Sequence, residues 1–460
     1  MKFVMYLFLF GVFLSAQENI LEKYVQTALD GNLALKQKQF SLEQSEAALD
    51  EARGMFFPSV SIDARYTRAG GGREIDLPIG DLVNPVYDAI NGLTGSNLPH
   101  LDNQKIMFMR EKEQETKLRL VQPVFQPAIY FNYKAKSNMT GMYRAEKNAF
   151  AGTIIAEVKT AYYNYLKTLK IKKLLLSTEE LLKENLRVSE SLFKNGKATR
   201  DAVYKAEAEL SKLKQQQSEA GKNNEIAKSY FNFLLNRDFE EEILVEETET
   251  PDQPGNGLEL AEKAALAKRE EITQMQYASE AAGNGVSAAK SSYYPGISLV
   301  VDYGYQGEEY KFTNDYDFWT ASMVLQWNIF NGFSDKAKAE ENEIKKMEIE
   351  TQKNEIVNKI RLQVREAFYD LEVAADAIET TSKREESSSQ SFRIIEKKYK
   401  EGMTPQIEYI DARNTLTQSQ IEAAVAEYDY KIKLAGLEKA TGGFKNEIEK
   451  HNIDGVENEK

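Results

Sequence analysis

The chain contains no cysteine, which excludes disulfides, thiolate metal sites, a cysteine nucleophile and a lipid-modified N-terminal cysteine. Histidine is nearly missing too. His100 and His451 are the only two, and both fall in segments that read as loop or tail, so a histidine-based catalytic or metal centre lacks ligands. There is no phosphate loop, nucleophile elbow or zinc-type motif, and neither a cofactor nor a resident metal is expected. After the first residues no stretch approaches the eighteen apolar residues of a transmembrane helix. No basic stripe stands out among 59 basic and 72 acidic residues, with a net charge of −13, so nucleic acid is not an expected partner.

What is present begins with MKFVMYLFLFGVFLSAQEN. Lys2 is a short positive region, Phe3–Leu14 an apolar core, and Ser15-Ala16 a candidate cleavage site. This reads as a secretory signal over 1–16 rather than a membrane anchor, being too short to span a bilayer.

The mature chain is two copies of one unit. ARGMFFPSVSI from Ala52 falls on AKSSYYPGISL from Ala289 at an offset of 237. LRLVQPVFQ from Leu118 falls on MVLQWNIFN from Met323 at 205, and VKTAYYNYL from Val158 on VREAFYDLE from Val364 at 206. FKNGKATRDAVYKAEAEL from Phe193 falls on YKEGMTPQIEYIDARNTL from Tyr399, again at 206. The boundaries read as a first repeat over 17–238, an acidic, then Pro/Gly-rich linker over 239–257, a second repeat over 258–442 and a polar, frayed tail over 443–460.

Each unit opens with a helical stretch, about 18–54 and 258–291, and then changes period. Val60, Ile62, Ala64 and Tyr66 alternate with Ser59, Ser61, Asp63 and Arg65, and Ile297–Tyr305 alternate in the same way. Partner strands follow: Leu118, Leu120 and Val124 share one face in the first unit, and Trp319, Ala321, Met323, Leu325, Trp327 and Ile329 share one in the second. A long loop, about 67–115, joins the first pair, and a short one the second. Helical patterns over about 128–195 and 334–401 come next, with a heptad-like seam through Val158, Tyr162, Tyr165 and Leu169, then Leu175, Leu182, Leu186 and Phe193. At 1.5 Å per residue each helix reaches roughly 100 Å. A glycine-bearing turn and a returning helix complete each unit: Gly196 and Gly402 suit left-handed C-caps, and Pro405 suits the first turn of a helix.

Strands with one apolar face are compatible with lipid, but a transmembrane sheet must close on itself. Four strands are too few, so several chains must pool them. Three copies give twelve strands; sequence physics alone does not choose three over two or four. Trp319 and Trp327, eight residues apart on one face, span about 20–25 Å, the separation of two aromatic girdles. Phe56, Phe57, Tyr293 and Tyr294 then mark the periplasmic rim. A soluble antiparallel sandwich accounts for the alternation but not for the long helices.

The duplicated order, with FFPSVSI/YYPGISL, LVQPVF/LQWNIF, AYYNYL/AFYDLE and FKNGKAT/YKEGMTP, resembles the TolC family of outer-membrane efflux proteins over nearly the whole mature chain. The resemblance implies an α+β membrane protein: a homotrimer forming a twelve-stranded β-barrel in outer-membrane lipid, continued by a long α-helical, coiled-coil tunnel through the periplasm. It implies a passive export channel, not an enzyme, that docks with a periplasmic adaptor and an inner-membrane efflux pump or secretion ATPase. The adaptor-docking turns would be Lys194, Gly196 and Thr199 with Lys400, Gly402, Thr404 and Pro405, and the periplasmic gate Tyr399, Glu408 and Asp411. Two departures stand out: Thr404 replaces the family's basic residue and Ala202 an acid, so a different closed-state network is expected. From spacing alone, Glu408 and Asp411 share a helix face, and symmetry would stack them into carboxylate rings that attract cations; a solvated helix face is the plainer reading. The alternative function is a periplasmic coiled-coil adaptor, which has one long hairpin where this chain has two.

Overall fold

The computed structural model describes residues 20–246 and 257–458. The signal segment 1–16 and most of the linker lie outside them. The chain divides into two compact units, one made of Ala47–Ser137 and Ala281–Lys346 and the other of the remaining segments.

The first unit holds the strands. β1 (Ser59–Arg68), β4 (Lys112–Phe125), β5 (Gly296–Gly307) and β6 (Asp317–Gln326) form one antiparallel sheet in that order, leaving β1 and β6 as its edges. The register sets Ile62, Leu118, Tyr303 and Trp319 in one row, and Val60, Leu120, Val301 and Ala321 in the next. Alternation therefore does in space what it promised in sequence, giving all four strands a common apolar face, with Val121, Val300, Phe318 and Val324 left on the other. That face is bare: Ile62, Trp319, Met323 and Leu325 are each more than 60% exposed.

The loop expected over 67–115 is structured. It holds a two-stranded hairpin of β2 (Glu74–Leu77) and β3 (Gln104–Met107) around a helix, α3 (Ile79–Thr94). Its asparagines organise it. Asn84 Nδ2 donates to the Leu101 carbonyl (3.0 Å) and Asn91 Nδ2 to that of Leu98 (3.1 Å), and each amide oxygen accepts the same residue's N–H. Side-chain amides thus replace a strand partner for the returning segment.

The second unit is helical. α1 (Ile20–Gly31) and α2 (Leu33–Gly54) correspond to α6 (Leu258–Lys268) and α7 (Glu270–Lys290). The single helix expected at the start of each repeat is broken once, at Asn32 and at Arg269, positions 237 apart. Each break serves a neighbour: Asn32 Nδ2 donates to the Leu234 carbonyl (2.9 Å) and Arg269 Nη1 to the Ala440 carbonyl (3.2 Å). Those are the last residues of the return helices α5 (Arg200–Leu234) and α9 (Gln406–Ala440), whose end carbonyls have no partner within the helix. The long helices are α4 (Pro127–Lys194) and α8 (Ser334–Lys400), of 68 and 67 residues. The largest core packs Tyr24, Ile155, Val158, Tyr162 and Phe231 together.

The expected frayed tail is instead a helix, α10 (Lys445–Asn458). Phe444 and Ile448 enter the main core, and Lys159 Nζ lies 4.4 Å over the Phe444 ring. Two apolar anchors in a polar segment suffice to hold it down.

Candidate functional site

Both hairpin tips are built by the same backbone device. At the end of α4, Gly196 has φ +66°, the Lys197 N–H donates to the Leu192 carbonyl (2.8 Å) and the Gly196 N–H to that of Phe193 (3.0 Å). At the end of α8, Gly402 has φ +74°, with the same pair running from Met403 to Lys398 (2.8 Å) and from Gly402 to Tyr399 (3.0 Å). This is the six-to-one, five-to-two pairing of a Schellman motif, and it needs a left-handed residue. Thr199 and Pro405 then occupy the cap positions of α5 and α9 in extended conformation, so Pro405 precedes the first turn rather than lying in it. Lys194, Lys400 and both glycines are exposed.

The side chains differ between the tips. Tyr399 stacks on Tyr409 with ring centroids 4.8 Å apart, and Asn185 Nδ2 donates to the Tyr399 hydroxyl at 3.5 Å. Tyr409 also packs on Phe392, and burial pushes its hydroxyl up to about 12. Gln406 is the hub. Its Nε2 donates to Ser189 Oγ (2.9 Å), the Ala202 carbonyl (3.0 Å) and Asn185 Oδ1 (3.3 Å). Asn185 and Ser189 are almost fully buried on α4, whereas Leu186 is half-buried and Phe193 exposed. The seam expected through those two apolar residues therefore turns polar near the tip.

Glu408 and Asp411 both face outward from α9 and are exposed, and Glu408 accepts a hydrogen bond from the Thr404 hydroxyl. Tyr399 lies with the Tyr409 stack instead. Within one chain the two acids and the tyrosine form no bonded cluster among the described residues. Deeper along the hairpin, buried Arg413 donates through Nη2 to Glu209 Oε2 on α5 at 3.2 Å.

On the sheet, Trp319 pairs across from Tyr303 near the start of β6. Trp327 lies just past the end of that strand, which stops at Gln326, so Trp327 and Ile329 are beyond the expected strand. The Trp327 Nε1 donates to the Tyr293 carbonyl at 3.2 Å. Phe57 and Tyr294 are exposed, and Phe56 meets Tyr133 edge-on, with centroids 5.7 Å apart. The opposite face of the sheet carries charge. Arg119 grips Asp302 through Nε (2.9 Å) and Nη2 (2.8 Å), with Asp63 3.7 Å and Lys117 3.6 Å away in the same patch.

A family model described as outer membrane efflux protein matches residues 262–443, the second repeat. The chain is 20% identical over 446 residues to the outer membrane protein TolC of Escherichia coli strain K12, covering 93% of this chain and 83% of TolC. It is 23% identical to the outer membrane protein OprJ of Pseudomonas aeruginosa over 92% of this chain and 84% of OprJ. Among solved structures, the Campylobacter jejuni CmeC outer membrane channel superposes with a TM-score of 0.74 at 17% identity, over 92% of this chain and 86% of that one. The second repeat thus matches the outer membrane efflux protein family, and nearly the whole chain is similar to outer membrane channels.

That likeness, over more than nine-tenths of the chain, favours an outer membrane efflux channel over the adaptor reading, and the bare apolar face of the sheet fits that setting. No helix among the described residues is long and apolar enough to cross a membrane. Sequence reasoning named the turns, acids and aromatics as candidates but not Gln406, Asn185, Ser189 or the Arg413–Glu209 pair. A signal existed for two of them: amide and hydroxyl side chains interrupt a heptad seam at Asn185 and Ser189. Arg413 had none, because an arginine inside a charged helical sequence reads as solvated.

Proposed function

We propose that three copies of this chain form an export duct of the outer membrane, with three four-stranded sheets closing a twelve-stranded barrel and three helical units forming the periplasmic tunnel. The observation that carries this reading is the sheet itself. It presents an exposed apolar face, and its β1 and β6 edges lack a strand partner among the described residues. In lipid such a sheet must be completed by copies of itself, since open edges leave backbone groups unsatisfied in hydrocarbon. The charged face then lines the lumen, where water solvates it.

In this reading the chain carries no chemistry of its own, and the energy for transport comes from an inner-membrane pump or secretion ATPase coupled through a periplasmic adaptor. The two tip turns, Lys194–Thr199 and Lys400–Pro405, are the adaptor-docking surfaces, and Glu408 and Asp411 face the axis as acid rings beside Tyr399. Their outward exposure on α9 supports the ring placement.

The test is the mass of the detergent-extracted protein together with conductance in planar bilayers. A trimer with small, mostly closed conductance is expected. A monomer that neither partitions into membranes nor conducts would refute the duct.

A further inference from the structure

Arg413 is only 3% exposed. Its Nη2 donates to Glu209 Oε2 (3.2 Å) and Asn414 Oδ1 (2.6 Å), and Asn414 Nδ2 donates to the same Glu209 oxygen (3.3 Å). The Arg413 Nε is buried with no hydrogen-bond partner among the described residues. Desolvation holds the guanidinium below its usual affinity for protons. A cation stripped of water on all sides therefore depends on one carboxylate, and that carboxylate stands on α5 while the arginine stands on α9. The bond thus joins the return helix of one hairpin to that of the other. The apolar clusters nearby lie mainly within a hairpin: Leu182 with Leu213 in the first, Phe392 with Tyr409 and Ile410 in the second. Another ion pair between the hairpins, Lys167 with Asp429 at 2.8 Å, is far more hydrated, with side chains 20% and 44% exposed.

We propose that Arg413, Glu209 and Asn414 form a charge clasp between the two hairpins of one protomer, and that this clasp, with the Gln406 hub, holds the tip closed. The proposal rests on the duct reading and names the closed-state contact within it. When the hairpins are together, Arg413 has a single anion. When they part, water reaches it. Removing Glu209 leaves an uncompensated buried charge only in the closed arrangement, so the populations shift toward the open one. Glu408 and Asp411, already in solvent, have no such leverage.

Open fraction in single-channel recordings of the full-length protein tests this. Glu209→Gln is expected to raise it at least about tenfold, since breaking a buried pair from one side is strongly unfavourable. Arg413→Gln should raise it less, because the Glu209 left behind is better hydrated. The double variant Glu209→Gln/Arg413→Gln, which orphans no charge, should fall below Glu209→Gln, and the exchange Glu209→Arg/Arg413→Glu should move back toward the parent. Unchanged open fractions in both single variants, with trimer mass preserved, would overturn the clasp, as would strict additivity in the double. Should Glu209→Gln fail to assemble, Glu209→Asp keeps the charge and shortens the reach: a raised open fraction supports the clasp and an unchanged one overturns it. A parent protein that never conducts would instead sink the duct reading itself.

Discussion

The two tip glycines allow a sign test of the turn geometry. Gly402 sits at φ +74°, and a Cβ built on it meets nothing within 4 Å. Gly402→Ala therefore carries no packing penalty, only the cost of holding an L-residue in a left-handed conformation, about 1–2 kcal/mol per chain. Gly221, inside α5, also has open space around its Cβ but lies in ordinary helical conformation. There the same substitution should stabilise by about 0.5–1 kcal/mol, because glycine is the poorer helix former. One chemical change thus has opposite signs at the two sites. Gly196→Ala, at φ +66° and equally open, should copy Gly402→Ala, and Gly402→Asn should recover part of the loss because asparagine tolerates that conformation better. The assay is denaturant unfolding of the detergent-solubilised protein, followed by far-ultraviolet circular dichroism. If Gly402→Ala unfolds at or above the parent midpoint, alongside Gly221→Ala, the Schellman assignment at the tip is wrong.

Two further outcomes follow from single residues. The Tyr409 hydroxyl, raised by burial to about 12, keeps its proton in the folded chain where an unfolded tyrosine titrates near about 10; folded protein then binds more protons, so stability should fall as pH rises from about 10 to 12. Tyr409→Phe should flatten that slope in alkaline unfolding curves, and an unchanged slope would show that Tyr409 is not its source. The chain has two tryptophans, so its indole fluorescence reports Trp319 and Trp327 alone. Vesicles with brominated acyl chains should quench both, and Trp327→Phe should leave a quenched Trp319; fluorescence that responds only to aqueous acrylamide would remove the apolar face from lipid.

The backbone plan was legible because it repeats. An offset of 206 links Gly196 to Gly402 and also Asn236 to Gly442, two more left-handed residues that end the return helices. Period-two alternation placed all four strands, since a half-buried or lipid-facing strand has no freedom to scramble its faces. What failed to show lacked periodicity or looked like its opposite. α3 sits in a segment rich in glycine and asparagine and carries Pro85 inside it, so it reads as loop until Asn84 and Asn91 are seen to hold it. α10 is polar enough to read as a tail, and its hold on the core comes from Phe444 and Ile448, too few to set a pattern. The Arg269 break was hidden because its role, supplying a donor to a carbonyl at the end of α9, depends on a contact 171 residues away.

The site residues concentrate where the two repeats stop matching. At the shared offset, Gln406 stands where the first hairpin has Arg200, Glu408 where it has Ala202, Asp411 where it has Lys205, and Arg413 where it has Glu207. The backbones at these positions are equivalent, yet the side chains are not interchangeable. Gln406 and Arg413 reach across from the second hairpin. Asn185, Ser189, the Ala202 carbonyl and Glu209 receive them on the first. Arg200, in the place of Gln406, lies over its own neighbour Tyr204, 5.6 Å from the ring centroid, and is exposed. At these positions the second hairpin supplies the long side chains and the first the groups that receive them, while Asn185 donates in return to the Tyr399 hydroxyl. Two equivalent hairpins would have to move alike, whereas complementary hairpins let one move against the other, and the buried bonds between them set how hard that movement is.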